Sequence, residues 1–205
     1  MSQGEETVVD LLFQVEGDYL PADYALPLSR ALLRQLPWLE GEPGAGIHPF
    51  KGAPTDRGTV LVSRRSRLTL RIPRARVAAA AALAGQALDV AGQVLRLGAT
   101  QTRELPSFAT LYSRFVDTGS SEEVRFVDDV TALLRELGAS CKFLCGQRRR
   151  GSVDEGEISG YSVMLHEVPR EQSVYLQERG LGRHRLLGCG ILVPHKSIRA
   201  VRVED

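Results

Sequence analysis

The segment VVDLLFQV, residues 8–15, is a short apolar run that ends before Gly17, and it predicts a buried β-strand. Leucines then recur at helical spacing over residues 28–39. Pro27 stands at the start of this run and Pro37 near its end, as is typical of a helix and its termination. The chain is therefore expected to open with a strand followed by a helix.

Two strands and a second helix are predicted after a loop rich in glycine and proline at residues 41–58. The strands span residues 59–63 and 67–72. In the second strand apolar residues alternate with basic and polar ones, which predicts a half-exposed strand of a hairpin with a basic outer face. An alanine-rich helix at residues 74–84 and a last strand or hairpin at residues 88–97 complete the order βαββαβ, a ferredoxin-like unit.

The second half of the chain repeats this order of elements without repeating the sequence. The predicted elements are a strand at residues 108–116, a helix ending at Gly138, paired strands at 141–145 and 158–167 around a basic connection at 147–156, a helix at 170–179, and closing strands at 188–193 and 198–203. The predicted fold class is α+β, with two tandem ferredoxin-like (RRM-like, βαββαβ) domains at residues 1–98 and 99–205.

Composition excludes several classes of protein. The chain has 205 residues, 26 basic and 25 acidic side chains and 43% hydrophobic residues, which is ordinary for a globular protein. The sequence has neither an apolar stretch of about 20 residues nor a basic N-terminal region, so we expect no membrane span and no signal peptide. Three cysteines argue against a disulfide framework and favour a cytoplasmic location.

The three cysteines, Cys141, Cys145 and Cys189, could in principle bind zinc. Their spacing is loose, however, and the first two lie in a predicted strand where alternation places them together on one face. We therefore expect them to belong to the core, and we predict no metal and no cofactor.

The near-neutral net charge of +1 hides a segregation of signs. Residues 57–76 contain seven arginines and no acid, residues 179–203 contain six bases and no acid, and Arg148–Arg150 form a further basic run. Because guanidinium is a planar, bidentate partner for phosphate, these clusters suggest an anionic ligand. A solvated, charged surface explains the composition equally well.

Two segments carry the chemistry. In GAGIHPFKG, residues 44–52, a histidine lies between glycines and three residues before a lysine. His48 could transfer a proton near neutral pH, and Lys51 could stabilise charge on a phosphorane-like transition state. Taken alone, this pattern is also typical of an ordinary, exposed loop histidine without a catalytic role.

The other segment is QERGLGRHRLLGCGILVPHK, residues 177–196, in which four glycines alternate with basic residues after a helix. Glycine allows a backbone to run close to a phosphate chain, and its amides can donate to phosphate oxygens. A tight connection between helix and strand would explain one or two of the glycines, but not the interleaved arginines. The pattern favours contact with nucleic acid.

Residues 180–196 resemble the C-terminal glycine-rich loop of the CRISPR-associated repeat-processing endoribonucleases. The motifs TLYSRFV at 110–116, KFLCG at 142–146 and SVYLQ at 173–177 are similar to the myxobacterial and cyanobacterial subtype of that family. The resemblance covers nearly the whole chain and is most specific over residues 106–198.

This resemblance implies metal-independent cleavage of precursor CRISPR RNA on the 3′ side of a repeat stem-loop. The 2′-hydroxyl would attack the adjacent phosphate and leave a 2′,3′-cyclic phosphate and a 5′-hydroxyl. His48 occupies the position of the family's catalytic histidine, and Lys51 becomes a candidate charge stabiliser. The residues expected to contact RNA are Arg64, Arg65, Arg67, Arg71, Arg148, Arg149, Arg150, Gly180, Gly182, Arg183, Arg185, Gly188, Gly190, His195 and Lys196.

The chain departs from the family pattern in two places. It has His184 and Ser197 where related loops often carry glycine, so His184 is an alternative proton-transfer group or a phosphate contact. His195 is expected to pack or to bind RNA, and His166 to be structural. A tyrosine assists the histidine in some relatives, and Tyr24 is a candidate for that role.

Three functions are consistent with these observations. The first is the repeat endoribonuclease, retained on the crRNA stem-loop as a subunit of a crRNA-guided surveillance or transposon-targeting complex. The second is a non-cleaving crRNA-binding subunit of the same superfamily. The third is an unrelated ferredoxin-like protein–protein module whose arginines are merely surface residues. The expected partners of the first two are CRISPR repeat RNA and the other subunits of the complex, without a membrane.

Overall fold

The computed structural model describes residues 7–196, which form two main antiparallel sheets and one small one. The first half contains β1 (Val8–Glu16), β2 (Tyr19–Pro21), α1 (Ala25–Gln35), β3 (Gly46–Ile47), β4 (Ala53–Pro54), β5 (Thr59–Leu61), β6 (Arg67–Pro73), α2 (Val77–Ala81), β7 (Ala87–Val90) and β8 (Gln93–Glu104). The second half contains β9 (Thr110–Val116), α3 (Glu123–Glu136), β10 (Lys142–Val153), β11 (Gly156–His166), α4 (Arg170–Arg179) and β12 (Val193–Pro194). Short 3₁₀ helices lie at Pro37–Gly41, Arg74–Arg76 and Arg185–Leu187.

The first sheet has the strand order β3-β6-β1-β8-β7, and every neighbouring pair is antiparallel. Its central strand is β1, whose side chains Leu11 and Phe13 enter the same core as Leu28 and Leu32 of α1. The apolar run at residues 8–15 is thus buried because α1 covers one face of the sheet. The predicted strand, the helix after it and the ferredoxin-like order are confirmed.

The predicted hairpin of residues 59–63 with 67–72 is wrong. β5 pairs with β2 and β4 in the small sheet, whereas β6 pairs with β1 and β3. β6 is also buried along its length after Arg67, rather than half exposed. The alternation of charge was misleading because Arg71, on the face expected to be exposed, is covered by the second half of the chain.

The second sheet has the order β10-β11-β9-β12 and packs against α3, with Phe126 and Val130 in its core. The helix at 170–179 is confirmed. The expected basic connection at 147–156 is instead mostly strand, because β10 continues to Val153 and returns through a tight turn into β11. Of the closing strands, the structure forms only β12, and the one expected at residues 198–203 lies outside the described residues.

The junction of the two halves follows β8. This strand remains paired with β1 as far as Glu104, so the first sheet extends beyond the division proposed at residue 98. Within residues 7–196, no helix combines the length and the apolar character needed to cross a lipid bilayer.

Residues 180–190, here called the glycine loop, fold back on themselves and on the end of β9. The Gly190 amide donates to the carbonyl of Phe115 at 2.7 Å, and the Gly190 carbonyl accepts from the Leu181 amide at 3.1 Å. Gly190 has φ +66°, and a Cβ there would lie 1.9 Å from the Leu181 carbonyl oxygen. Glycine is required at this position because two backbone segments of the protein touch there.

The loop amides were expected to donate to phosphate, but three of the glycine amides are paired within the protein. The amides of Gly180, Gly188 and Gly190 donate to carbonyls inside the protein, those of Leu176, Arg185 and Phe115 respectively. An amide that is already paired has no proton to offer a ligand. In this structure these three glycines shape the loop through their backbone contacts.

We expect Gly190→Ala to lower the free energy of unfolding far more than Gly138→Ala. Gly138 has a similar φ of +63°, but no atom lies within 4 Å of its hypothetical Cβ, so its substitution costs only the left-handed conformation, about 1–2 kcal/mol. Gly190→Ala adds the clash with Leu181. Urea denaturation of both variants measures the difference, and equal losses would contradict the packing role.

Candidate active site

His48 lies immediately after β3, and its backbone amide donates to the carbonyl of Thr69 at 2.9 Å, so it continues the pairing of that strand with β6. Its imidazole is not the exposed loop side chain that the glycines suggested, because only 12% of it is accessible. The Nε2 atom lies 3.0 Å from Oδ1 of Asp10 on β1. The sheet therefore holds the histidine against a carboxylate that sequence analysis did not select.

Asp10 is paired in turn with Arg71, directly opposite it in the β1–β6 register. The Arg71 Nε donates to Oδ1 at 2.8 Å and its Nη2 to Oδ2 at 3.1 Å. The third nitrogen, Nη1, donates to the carbonyls of Gln177 at 3.0 Å and Leu192 at 2.7 Å, both in the second half. Arg71 was predicted to contact RNA, but in this structure its side chain is fully buried and holds the two halves together.

Burial and charge act in opposite directions within this group. Burial opposes ionisation of Asp10, but hydrogen bonds from His48 and Arg71 outweigh it and hold the Asp10 pKa well below its usual range. Burial lowers the pKa of His48, an effect that Asp10 opposes and that the charges of Arg71 and Lys51 reinforce. At neutral pH the pair is accordingly a carboxylate and a neutral imidazole, the state required of a general base.

Basic side chains lie where the chain leaves the loop that contains His48. Lys51 is exposed, and its carbonyl accepts from the Ser66 hydroxyl at 3.0 Å, which brings the turn bearing Arg64 and Arg65 beside it. Both of these arginines are exposed, whereas Arg67 is half-buried and donates to the carbonyls of Arg64 and Ser66. Lys51, Arg64 and Arg65 thus form one basic rim.

Tyr24, at the start of α1, touches the His48 loop two residues beyond the histidine. The Phe50 amide donates to the Tyr24 hydroxyl oxygen at 2.8 Å, and the two rings meet edge to face. Burial raises the pKa of Tyr24, so the phenol stays protonated. The contact joins residues 26 apart in the sequence, which is why no local pattern indicates it.

A cleft of about 430 Å³ lies between the halves and is lined by Tyr24, Pro49 and Phe50 on one side and by arginines on the other. Arg148–Arg150 of β10 and Arg114 of β9 supply the charge, and Arg148, Arg150 and Arg114 are exposed. Arg114 was missed by sequence analysis. Side chains alternate between the two faces of a strand, so its position in β9 next to the buried Ser113 could have identified it as an outward-facing basic residue.

His184 lies in a different setting. Its Nδ1 is 2.6 Å from Oδ2 of Asp117, which also pairs with Arg183 at 3.3 Å. His184 lines another cavity, of about 620 Å³. The acidic residues around that cavity are Glu40, Glu42, Asp154 and Glu155.

The other residues of the glycine loop that were predicted to contact RNA differ in their exposure and in their contacts within the protein. Arg185 donates to the carbonyls of Glu178, Arg179 and Gly44, and burial lowers its pKa to about 10, so it fastens the loop to both halves. Arg183 is exposed beside Asp117, and Gly182 packs on the Asp117 carbonyl.

His166, His195, Cys141 and Cys145 lie outside the cleft, whereas Cys189 is one of the residues that line it. His195 packs on Tyr112 with ring centroids 5.5 Å apart, Lys196 is exposed, and His166 is 3.6 Å from Glu167. Cys141 and Cys145 pack against the second core, as predicted, and burial raises the pKa of Cys189 to about 12. Over the described part of the chain, no three His, Cys, Asp or Glu residues are grouped to hold a metal ion.

Comparison with known proteins identifies the family of this chain. A family model described as Cas6 Crispr matches residues 9–197. The chain is 34% identical over 198 residues to the CRISPR-associated endonuclease Cas6 of Myxococcus xanthus strain DK1622, which covers 96% of this chain and 85% of that protein. A solved CRISPR associated protein Cas6 has a TM-score of 0.69 at 11% identity, covering 92% of this chain and 100% of that one.

Two further solved structures share the fold. A RAMP protein binding different RNA substrates has a TM-score of 0.64 at 15% identity, and the CRISPR endoribonuclease Cse3 bound to 19 nt RNA has one of 0.53 at 15%; each covers 91% of this chain and 97% of its own. Two ferredoxin-like sheets are the architecture common to these proteins. The chain belongs to the Cas6 family, so the resemblance predicted from its sequence is confirmed and an unrelated protein–protein module is ruled out.

The lowered pKa of His48 predicts a pH dependence of stability. Between the folded pKa and the ordinary value of 6.5, the unfolded chain binds more protons than the folded one, so stability falls as the pH is lowered through this window. We expect the free energy of unfolding to fall less steeply from pH 7.5 to 5 in His48→Gln than in the wild type. Asp10 does not contribute to this slope because it titrates at lower pH. Parallel slopes in urea denaturation would contradict the assignment.

Proposed function

We propose that this chain is a metal-independent endoribonuclease that cleaves precursor CRISPR RNA within its repeats, on the 3′ side of a stem-loop. The observation that carries the proposal is a neutral histidine, His48, held by a carboxylate beside an arginine-lined cleft in a member of the Cas6 family. The Myxococcus xanthus relative, named an endonuclease, supports the same activity.

The proposed reaction is a transesterification. His48 removes the proton of the 2′-hydroxyl, the 2′-oxygen forms a bond to the adjacent phosphorus, and the bond from phosphorus to the 5′-oxygen breaks. The 5′-oxygen takes up a proton from water and leaves as a hydroxyl, the His48 imidazolium returns its proton to water, and the other product ends in a 2′,3′-cyclic phosphate. Lys51 stabilises the charge that develops on the phosphate oxygens. Tyr24 positions the loop by binding the Phe50 amide.

The RNA is proposed to lie along the basic surfaces on either side of His48. Arg114, Arg148 and Arg150 would neutralise phosphates within the cleft, and Arg64 and Arg65 would do so at its rim. A stem-loop offers mainly shape and phosphate contacts to a protein. We propose that the protein remains on the 3′ stem-loop of the product as a subunit of a crRNA-guided complex.

The second candidate is a non-cleaving crRNA-binding subunit of the same superfamily. The low accessibility of His48 favours it, because an imidazole that is 12% exposed must be reached by RNA before it can accept a proton. The two candidates share RNA binding and differ only in chemistry, so a cleavage assay separates them.

We expect purified protein to cleave its own genome's repeat RNA in excess EDTA and to release a 5′-hydroxyl product. His48→Ala is expected to slow single-turnover cleavage about 10²–10⁴-fold while leaving the affinity for a 2′-deoxy substrate unchanged. His166→Ala, at the end of β11, is the matched histidine control. Cleavage that survives in His48→Ala but fails in His184→Ala would move the chemistry to His184. Binding without any cleavage would favour the second candidate.

Salt dependence tests the RNA contacts. We expect Arg148→Ala and Arg150→Ala each to lower the slope of log Kobs against log[salt] by about 0.7–0.9, the value for one phosphate contact. Arg125→Ala, an exposed arginine on α3, is the matched control and should leave the slope unchanged. Slopes that fall equally in all three variants would contradict a directed contact. Filter binding of the 2′-deoxy repeat at several salt concentrations provides the measurement.

A further inference from the structure

Asp10 accepts hydrogen bonds from three donors at once. Its Oδ1 lies 3.0 Å from the His48 Nε2 and 2.8 Å from the Arg71 Nε, and its Oδ2 lies 3.1 Å from the Arg71 Nη2. Asp10 is itself buried in the middle of the first sheet. A carboxylate held in this way has a fixed position and a fixed charge.

This arrangement determines which imidazole nitrogen carries the proton. An ionised carboxylate only accepts hydrogen bonds, so the neutral His48 must bear its hydrogen on Nε2. The lone pair is then on Nδ1. Among residues 7–196 nothing hydrogen-bonds Nδ1, and this atom is not one of the fully buried atoms without a partner.

We propose that Asp10 is a positioning residue for His48: it fixes the imidazole in the Nε2–H tautomer and aims the free Nδ1 as the base. Arg71 extends the arrangement by fixing Asp10. This inference rests on the proposed function for its catalytic consequence, but the tautomer is a property of the free protein.

Arg71 also connects the pair to the second half of the molecule. Its Nη1 bonds the carbonyl of Gln177 near the end of α4 and that of Leu192 after the glycine loop. The position of the proposed base, the His48 imidazole, is thereby coupled to the segment 177–192, part of which lines the cleft. The charged groups that act on His48 are Asp10 on β1, Arg71 on β6 and Lys51 on its own loop.

Nitrogen NMR of the free protein tests the tautomer directly. With ¹⁵N-labelled histidine, and His48→Ala to assign the signals, we expect the wild type to show a protonated Nε2 and an unprotonated Nδ1 near pH 7.5. In Asp10→Asn the introduced amide can accept from Arg71 and donate toward Nε2, so the hydrogen should move to Nδ1. The pKa of His48 should also fall, because the carboxylate that opposes its lowering is gone.

Kinetics tests the catalytic consequence. Asp10→Asn should slow single-turnover cleavage about 10²–10⁴-fold, as loss of the correct tautomer does in other histidine enzymes, and should shift the acidic limb of the pH–rate profile to lower pH. Affinity for the 2′-deoxy repeat should stay within about twofold. Asp117→Asn is the matched control, because it removes the carboxylate beside the other candidate histidine and should leave the acidic limb in place.

The outcomes separate this inference from the proposed function. A wild-type His48 protonated on Nδ1, or averaging between tautomers, overturns the inference even if the protein cleaves RNA and even if Asp10→Asn does not fold. A reduced rate in Asp10→Asn with an unshifted limb and weakened RNA binding also overturns it. The predicted tautomer in a protein that cleaves nothing overturns the proposed function and leaves the positioning role of Asp10 supported.

Discussion

The buried ion pair of Arg71 with Asp10 is the interaction on which the rest of the structure depends. A fully buried guanidinium is costly unless its nitrogens find acceptors, and here all three nitrogens donate to a carboxylate of the same half or to two carbonyls of the other half. Removing either partner would leave an uncompensated charge in the core. One group of hydrogen bonds therefore fixes the register of β1 against β6, the docking of α4 and the orientation of His48.

The glycine loop imposes a second constraint, because its backbone segments approach more closely than side chains allow. A Cβ on Gly182 would lie 2.2 Å from the Asp117 carbonyl oxygen, much as one on Gly190 would meet Leu181. The loop can thus stay in contact with the end of β9 while Arg185 fastens it to Gly44 of the first half. With the amides of Gly180, Gly188 and Gly190 already paired inside the protein, these three glycines shape the loop and place its neighbouring residues.

Much of the fold could be predicted from periodicity, and less of the site. The apolar run at residues 8–15 and the helix at 170–179 have local causes, so the sequence alone locates them. The pairing of β5 and β6 and the burial of Arg71 depend on contacts between residues far apart in the chain, which alternation of polarity does not encode. The same holds for Asp10, whose importance comes only from the two strands that bring His48 and Arg71 to it.

Electrostatics distinguishes the two candidate histidines, although each has an aspartate partner. His184 lines a cavity whose walls include four acidic side chains and two arginines, and two of the acids, Glu42 and Asp154, are paired with arginines. The cleft beside His48 is lined by four arginines and a single acidic residue, Asp23, and the charge of Lys51 also acts on the imidazole. Because a polyanion is attracted to positive charge and repelled by unpaired carboxylates, this distribution of charge favours His48 over His184 as the proposed proton-transfer group.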